Sequence, residues 1–286
     1  MRPRQWSKNA LIFAAIVFDR QLFNLDSFTR VLVGFLLLCL SASTIYLIND
    51  VVDVEKDKLH PKKKNRPIPA GILPIPIAIG SAVIFPIIAL GIALLFSPPL
   101  AMVLLTYMVL HIAYSFYLKN IVIIDVFAIA AGFILRVVAG AVVITITNFS
   151  PWLYVCVGGL SLFLAVGKRR QELILLAGSA ADVRATYKEY NLALLDDMLR
   201  MVTTGTVISY TFYTFEARTA LVPNLLLVTV PFVVYGIFRY LYLIHVKGEG
   251  GAPDELLFKD RALLISILLW GMTVIGVLYL SNISRA

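Results

Sequence analysis

Four oxygen-bearing side chains, Asn49, Asp50, Asp53 and Asp57, punctuate the stretch YLINDVVDVEKDKLHPKKKNRPIPAG at 46–71. On a helix turning about 100° per residue they fall within an arc of about 100°, so they share one face. Like charges at this spacing repel, and a helix tolerates them when cations are held among them. Carboxylates joined by an amide are hard oxygen ligands suited to Mg²⁺, which binds through a few carboxylates together with substrate phosphates. The spacing therefore predicts a metal site made of Asn49, Asp50, Asp53 and Asp57, with the three aspartates as catalytic carboxylates and a diphosphate as partner. Lys62, Lys63, Lys64 and Arg66 follow directly and are placed to neutralise its remaining oxygens.

A second group of chemically capable residues lies in GKRRQEL at 167–173. Lys168 and Arg169, with Glu172 one helical turn on, form a device for gripping phosphates directly, with Glu172 as a candidate catalytic carboxylate. YKEYN at 187–191 adds Tyr187, Lys188 and Tyr190 as donors to a phosphate or a sugar. Lys119 and Asp125 sit at the end of an apolar run, where they are expected to bind phosphate or support the acidic face. Arg136, a further candidate substrate-binding residue, lies in the middle of a run where an unpaired cation is expensive; Asp125, three turns earlier, shares its face, and neither is expected to meet lipid. At the N-terminus, Arg2, Arg4 and Lys8 flank Trp6 as receivers of an anionic head group or as an interfacial anchor. Asp196 and Asp197 are expected to cap or flank the next helix, and His111 to be a packed polar residue.

The elements that must hold these groups are membrane helices. Hydrophobic residues make up 60% of the 286, charged residues only 15%, and the mean hydropathy is +0.88; a water-soluble fold of this length is far more polar. Apolar runs of the length that a bilayer core requires recur nine times, near 8–22, 29–50, 75–96, 99–118, 122–146, 151–168, 199–218, 222–245 and 263–283. The fold class expected is therefore all-α, one polytopic domain over 1–286, with polar loops at about 51–74 and 169–198. The basic start runs into a helix with no small-residue cleavage site, so no removable leader is expected.

Cations test this segmentation, because they are retained on the cytoplasmic side during insertion. With the N-terminus inside, every Lys and Arg falls on inner segments except Arg20, Arg30, Arg136, Arg218 and Arg285. The net charge of +8 is thus a surface asymmetry favouring anionic lipids or phosphorylated substrates, with no nucleic-acid partner expected. Cys39 and Cys156 lie within separate spans, which predicts neither a disulfide nor a metal site from them. The expected location is the plasma membrane, with the N-terminus and the polar loops cytoplasmic.

NDVVDVEKD resembles the N-D-x-x-D-x-x-x-D signature of the UbiA superfamily of intramembrane prenyltransferases, and NRPIPAG is similar to the segment that follows it there. The likeness extends over essentially the whole chain. It implies a UbiA-like helical bundle, a metal role for Asn49, Asp50, Asp53 and Asp57, and a Mg²⁺-diphosphate bound between two polar loops. Aromatic prenyltransferases of the superfamily carry a further D-x-x-x-D in the second loop, where this chain has GKRRQEL. That segment and MRPRQWSKN resemble one branch, the decaprenyl-phosphate phosphoribosyltransferases. The branch implies transfer of a 5-phosphoribosyl group from phosphoribosyl pyrophosphate to a polyprenyl phosphate, releasing pyrophosphate, with Mg²⁺ as cofactor. An aromatic prenyltransferase using the same metal cluster is the alternative. A transporter coupled to a cation is a third, disfavoured because the acids crowd one rim and not the bilayer midplane.

Overall fold

The computed structural model describes residues 3–59, 63–146, 150–175, 185–217, 224–249, 256–257 and 259–283, and among these the regular structure is all helical, with no strand. A 3-10 segment, Pro3–Phe13, leads into α1, Ala14–Phe18. The other helices are α2 (Leu25–Val52), α3 (Val54–Leu59), α4 (Ile75–Phe96), α5 (Pro98–Phe116), α6 (Ile124–Ala141), α7 (Pro151–Leu175), α8 (Leu192–Glu216), α9 (Val230–His245) and α10 (Arg261–Ile283). Among the described residues, seven stretches are long and apolar enough to cross a membrane: α2, α4, α5, α6, α7, the 225–245 stretch ending in α9, and α10 up to Tyr279. The protein is an integral, multi-pass membrane protein. On α4 only 11% of the most apolar window is buried, and Ile77, Val83, Ile84, Ile87 and Leu94 are exposed; in water such a face would be an aggregation surface, whereas lipid covers it.

Two of the nine expected spans are helical but are not among these seven. The first is the 3-10 segment with α1, and the seventh is α8. Several bounds also differ. α2 begins at Leu25, because the Asn24 side chain accepts the Ser27 N–H at 3.1 Å and caps it. α7 continues through the cations of GKRRQEL to Leu175, and α8 starts at Leu192, so the expected loop at 169–198 is largely helical within its described part. The cap of α8 is Asn191, whose side chain accepts from Leu194 N–H at 2.8 Å, in place of Asp196 or Asp197. Those two are held within the helix by ion pairs with Arg170 and Arg200.

The chain divides into two compact units: 1–117 with 135–147, and 118–134 with 148–286. In the first, α2 packs on α4 and α5, and the N-terminal segment runs antiparallel along α2. Ile12 lies beside Gly34, Asn9 donates to Cys39 Sγ at 3.3 Å, and Trp6 donates to Ser43 at 3.4 Å. Arg136 stabilises this docking from α6: its Nε donates to Asn9 at 2.9 Å and its Nη2 to Tyr107 at 2.8 Å, with the guanidinium 5.0 Å from the Tyr107 ring. His111 packs on the same ring and meets the Tyr107 carbonyl.

Four residues on from Arg136, a Cβ on Gly140 would come within 2.0 Å of the Ile12 carbonyl oxygen. Glycine is required there by a backbone-to-backbone approach. Gly140→Ala is expected to destabilise the protein by about 1–3 kcal/mol through overpacking, read as a lower melting temperature in detergent. Gly91→Ala, where nothing lies within 4 Å, is the matched control and should not lower it.

In the second unit, Phe163, Val166, Leu195, Leu199, Ile237, Tyr240 and Leu243 form one buried cluster that joins α7, α8 and α9 and also encloses Tyr187 and Tyr190. α7 and α8 approach closely at Gly159, where an added Cβ would meet the Thr206 side chain at 2.4 Å, the small-residue packing that helices use in lipid.

Candidate functional site

The acidic stretch forms one nearly continuous helical path. α2 ends at Asp53, whose N–H still reaches Asn49 O at 3.0 Å, and Asp57 N–H bonds Asp53 O at 2.8 Å as α3 begins. Asp50 and Asp57 are buried; Asn49 and Asp53 are half-buried. The two buried carboxylates converge on one nitrogen: Arg66 Nη1 lies 3.1 Å from Asp50 Oδ1 and 2.5 Å from Asp57 Oδ2. A cation thus does hold these acids together, as their spacing requires, and the cation in place is a side chain.

Arg66 reaches them because the following turn is firmly anchored. Ala70 N–H bonds Arg66 O at 2.9 Å and Leu73 N–H bonds Pro67 O at 2.9 Å. Gly71 takes φ +74°, a conformation open to glycine, and buried Ile68 packs with Leu47 and Ala78. NRPIPAG is thus a rigid strap that returns its arginine to the helix end.

Among the described residues, no three His, Cys, Asp or Glu side chains are gathered closely enough to hold a metal ion. The donor chemistry nonetheless fits a hard divalent cation, since two buried carboxylates already share one positive centre, with Asn49 and Asp53 on the same path. Of the cations expected to help, Lys64 is exposed; Lys62 and the Lys63 side chain lie outside the described residues. So do Arg2 and the Arg4 side chain. Lys8 is half-buried on the N-terminal segment, whose antiparallel course along α2 brings its start towards Asp50, since Ser43 is roughly 10 Å from Asp50 along the helix. Trp6, bonded to Ser43, is docked on α2 instead of anchoring freely at the interface. Arg136, a candidate substrate-binding residue from sequence, takes part in the buried Asn9–Tyr107 docking described above.

The second unit gathers a separate polar cluster. Asp125 at the start of α6 is wholly buried, and accepts from Arg169 Nε at 2.9 Å on one oxygen and from the Tyr190 hydroxyl at 2.7 Å on the other. Arg169 Nη1 donates to Glu172 at 2.6 Å and to Tyr187 at 3.4 Å, and the Tyr187 hydroxyl donates to Glu172. Burial raises the Tyr187 and Tyr190 phenols above their ordinary range, so both remain protonated donors. Arg169, expected from sequence to grip phosphates directly, has a side chain 5% exposed that pairs with Asp125 and Glu172. Lys168 differs, with its side chain 41% exposed and Nζ 3.9 Å from Glu172. Lys188 is exposed and Lys119 half-buried on the Leu118–Asn120 turn. Sequence reasoning paired Asp125 with Arg136 by helix periodicity. Its partners are Arg169 and Tyr190, which sequence distance concealed.

The chain matches the UbiA prenyltransferase family over residues 10–247. It is 35% identical over 287 residues to the decaprenyl-phosphate phosphoribosyltransferase of Corynebacterium glutamicum, covering 98% of this chain and 86% of that protein. It is 34% identical over 301 residues to the protein of the same name in Mycolicibacterium smegmatis, covering 98% and 92%. Among solved structures, a UbiA homolog from Archaeoglobus fulgidus bound to DMAPP and Mg²⁺ matches with a TM-score of 0.70 at 18% identity, covering 97% of this chain and 98% of that one.

Proposed function

We propose, for a chain that belongs to the UbiA prenyltransferase family and is a transferase, that it moves the 5-phosphoribosyl group of phosphoribosyl pyrophosphate onto a decaprenyl-type polyprenyl phosphate on the cytoplasmic leaflet. The observation that carries this reading is the make-up of the 167–173 segment. Where resembling aromatic prenyltransferases hold a second acidic pair, this chain has Lys168, Arg169 and Arg170 around a single Glu172. The relatives' names carry the same acceptor, decaprenyl phosphate, and the same transferred group, phosphoribosyl.

The reaction breaks the bond from the ribose anomeric carbon to pyrophosphate and forms one to the lipid phosphate oxygen. Asn49, Asp50, Asp53 and Asp57 would hold Mg²⁺, which when bound supplies positive charge to the departing pyrophosphate. Arg66 adds a guanidinium at the same helix end, suited to a diphosphate. Lys168, Lys188 and Lys119 offer charge to the donor's phosphates. Glu172 and Asp125 fix Arg169, and Tyr187 fixes Glu172, so this cluster orients Lys168 and does not relay a proton. Arg4 and Lys8 receive the lipid phosphate. That acceptor is already an anion, so no general base is needed.

Protein in nanodiscs should convert labelled phosphoribosyl pyrophosphate and a polyprenyl phosphate into a labelled lipid. Consumption of a prenyl diphosphate and a phenol, with phosphoribosyl pyrophosphate ignored, would replace this reading by the aromatic prenyltransferase. Lys168→Ala should raise the donor concentration for half-maximal rate by about tenfold, corresponding to a charge-assisted contact of about 1.4 kcal/mol. The dependence on lipid phosphate should stay within about twofold, because this reading assigns that substrate to Arg4 and Lys8.

A further inference from the structure

Ile123 adopts φ +69°, and across it the Ile124 N–H bonds the Val122 carbonyl at 2.8 Å. A positive central φ with an i to i+2 bond is the rarer, strained form of the γ-turn. A β-branched residue is poorly suited to it, because its Cβ crowds the neighbouring carbonyl. Glycine or asparagine would be the local choice, so the surroundings impose this turn.

The imposing group is one phenol. The Ile123 N–H donates to the Tyr190 oxygen at 2.9 Å, and the same hydroxyl donates to Asp125 Oδ1 at 2.7 Å, two residues past the turn. Burial holds the Tyr190 proton in place, and Arg169 fixes the other oxygen of Asp125. Tyr190 therefore closes a ring around the strained peptide from a segment 67 residues away. Directly before the ring lies the Leu118–Asn120 turn that carries Lys119, tied to it by Ile121 N–H to Leu118 O and Asp125 N–H to Ile121 O.

We propose that Tyr190 is a positioning residue: it latches the 185–190 segment onto the 118–125 connection, keeps Ile123 in its strained turn, and so sets where Lys119 stands. Tyr190 touches no reacting atom in this scheme and acts through Lys119, so its kinetic consequence rests on the reading above in which Lys119 meets donor phosphate.

The test is a cycle of Tyr190→Phe, Ile123→Gly and the double variant in nanodiscs. Hydrogen–deuterium exchange over 118–125 needs no substrate. Tyr190→Phe should speed exchange there by about tenfold or more, since the Ile123 amide loses its acceptor and the turn can relax. With glycine at 123 the positive φ is intrinsically accessible, so in that background the same removal should change the half-saturating phosphoribosyl pyrophosphate concentration by less than about threefold. In the parent background the rise should be about tenfold, with kcat altered by less than about threefold. Unchanged exchange in Tyr190→Phe, or equal kinetic losses in both backgrounds, would overturn the proposal. If phosphoribosyl pyrophosphate is not consumed at all, the functional reading fails and the exchange cycle still decides the latch.

Discussion

Asp57→Asn should lower turnover by about 10²- to 10³-fold at saturating Mg²⁺ and both substrates, the scale of losing one element of a preorganised electrostatic site. The amide can still accept from Arg66 Nη1, which lies 2.5 Å from Asp57 Oδ2, so the strap should stay docked and the melting temperature nearly unchanged. Full activity in that variant would remove the metal assignment. A readout independent of activity comes from Arg66→Ala, which takes away the nitrogen that Asp50 and Asp57 share. Its melting temperature should fall in chelator and recover when Mg²⁺ is added, since an ion that binds only the folded protein stabilises it. A melting curve indifferent to Mg²⁺ would count against a cation site at these acids.

The largest loss of stability should come from Arg169→Met. Its guanidinium is paired with Asp125, whose side chain is fully buried, and removing one partner of a buried pair costs about 3–5 kcal/mol because the other charge is stranded. Glu172, with its side chain 29% exposed, can turn to water and should add little. Asp125→Leu combined with Arg169→Met should recover most of the stability but not the activity, because an apolar pair of similar volume avoids the desolvation cost. Unfolding by SDS in mixed micelles measures all three proteins. A single variant as stable as the parent would show that the pair is not held as described.

Much of this was legible from sequence for a physical reason: local spacing survives folding. The acids at 49, 50, 53 and 57 were recognisable because helix periodicity alone puts them on one face, and Asp50 and Asp57 do converge. The apolar runs marked nine spans because bilayer thickness dictates helix length, and among the described residues seven helices are long and apolar enough to cross. What escaped was tertiary. Asp125 and Arg169 are 44 residues apart, and no local rule selects that pairing over the same-face Arg136. The Ile123 turn carries none of the glycine or asparagine that announces a positive φ. The start of α8 was placed seven residues late because Asp196 and Asp197 read as residues capping or flanking it; both lie within it, ion-paired to Arg170 and Arg200.

The hydroxyl-bearing residues within α8, Thr203, Thr204, Thr206, Ser209, Thr211 and Thr214 among them, have a consequence for how the chain is made. α8 has 25 residues, length enough to cross, yet it is not among the seven stretches that qualify by composition. A helix less apolar than the other crossings gains from a neighbour that shares its polar groups in lipid. α7 precedes it in synthesis and offers the Gly159 notch against Thr206, so the two would leave the translocon as a helical hairpin. The membrane residence of α8 is then a property of the pair, and a substitution that fills the notch should act first on topology, before any effect on catalysis can be felt.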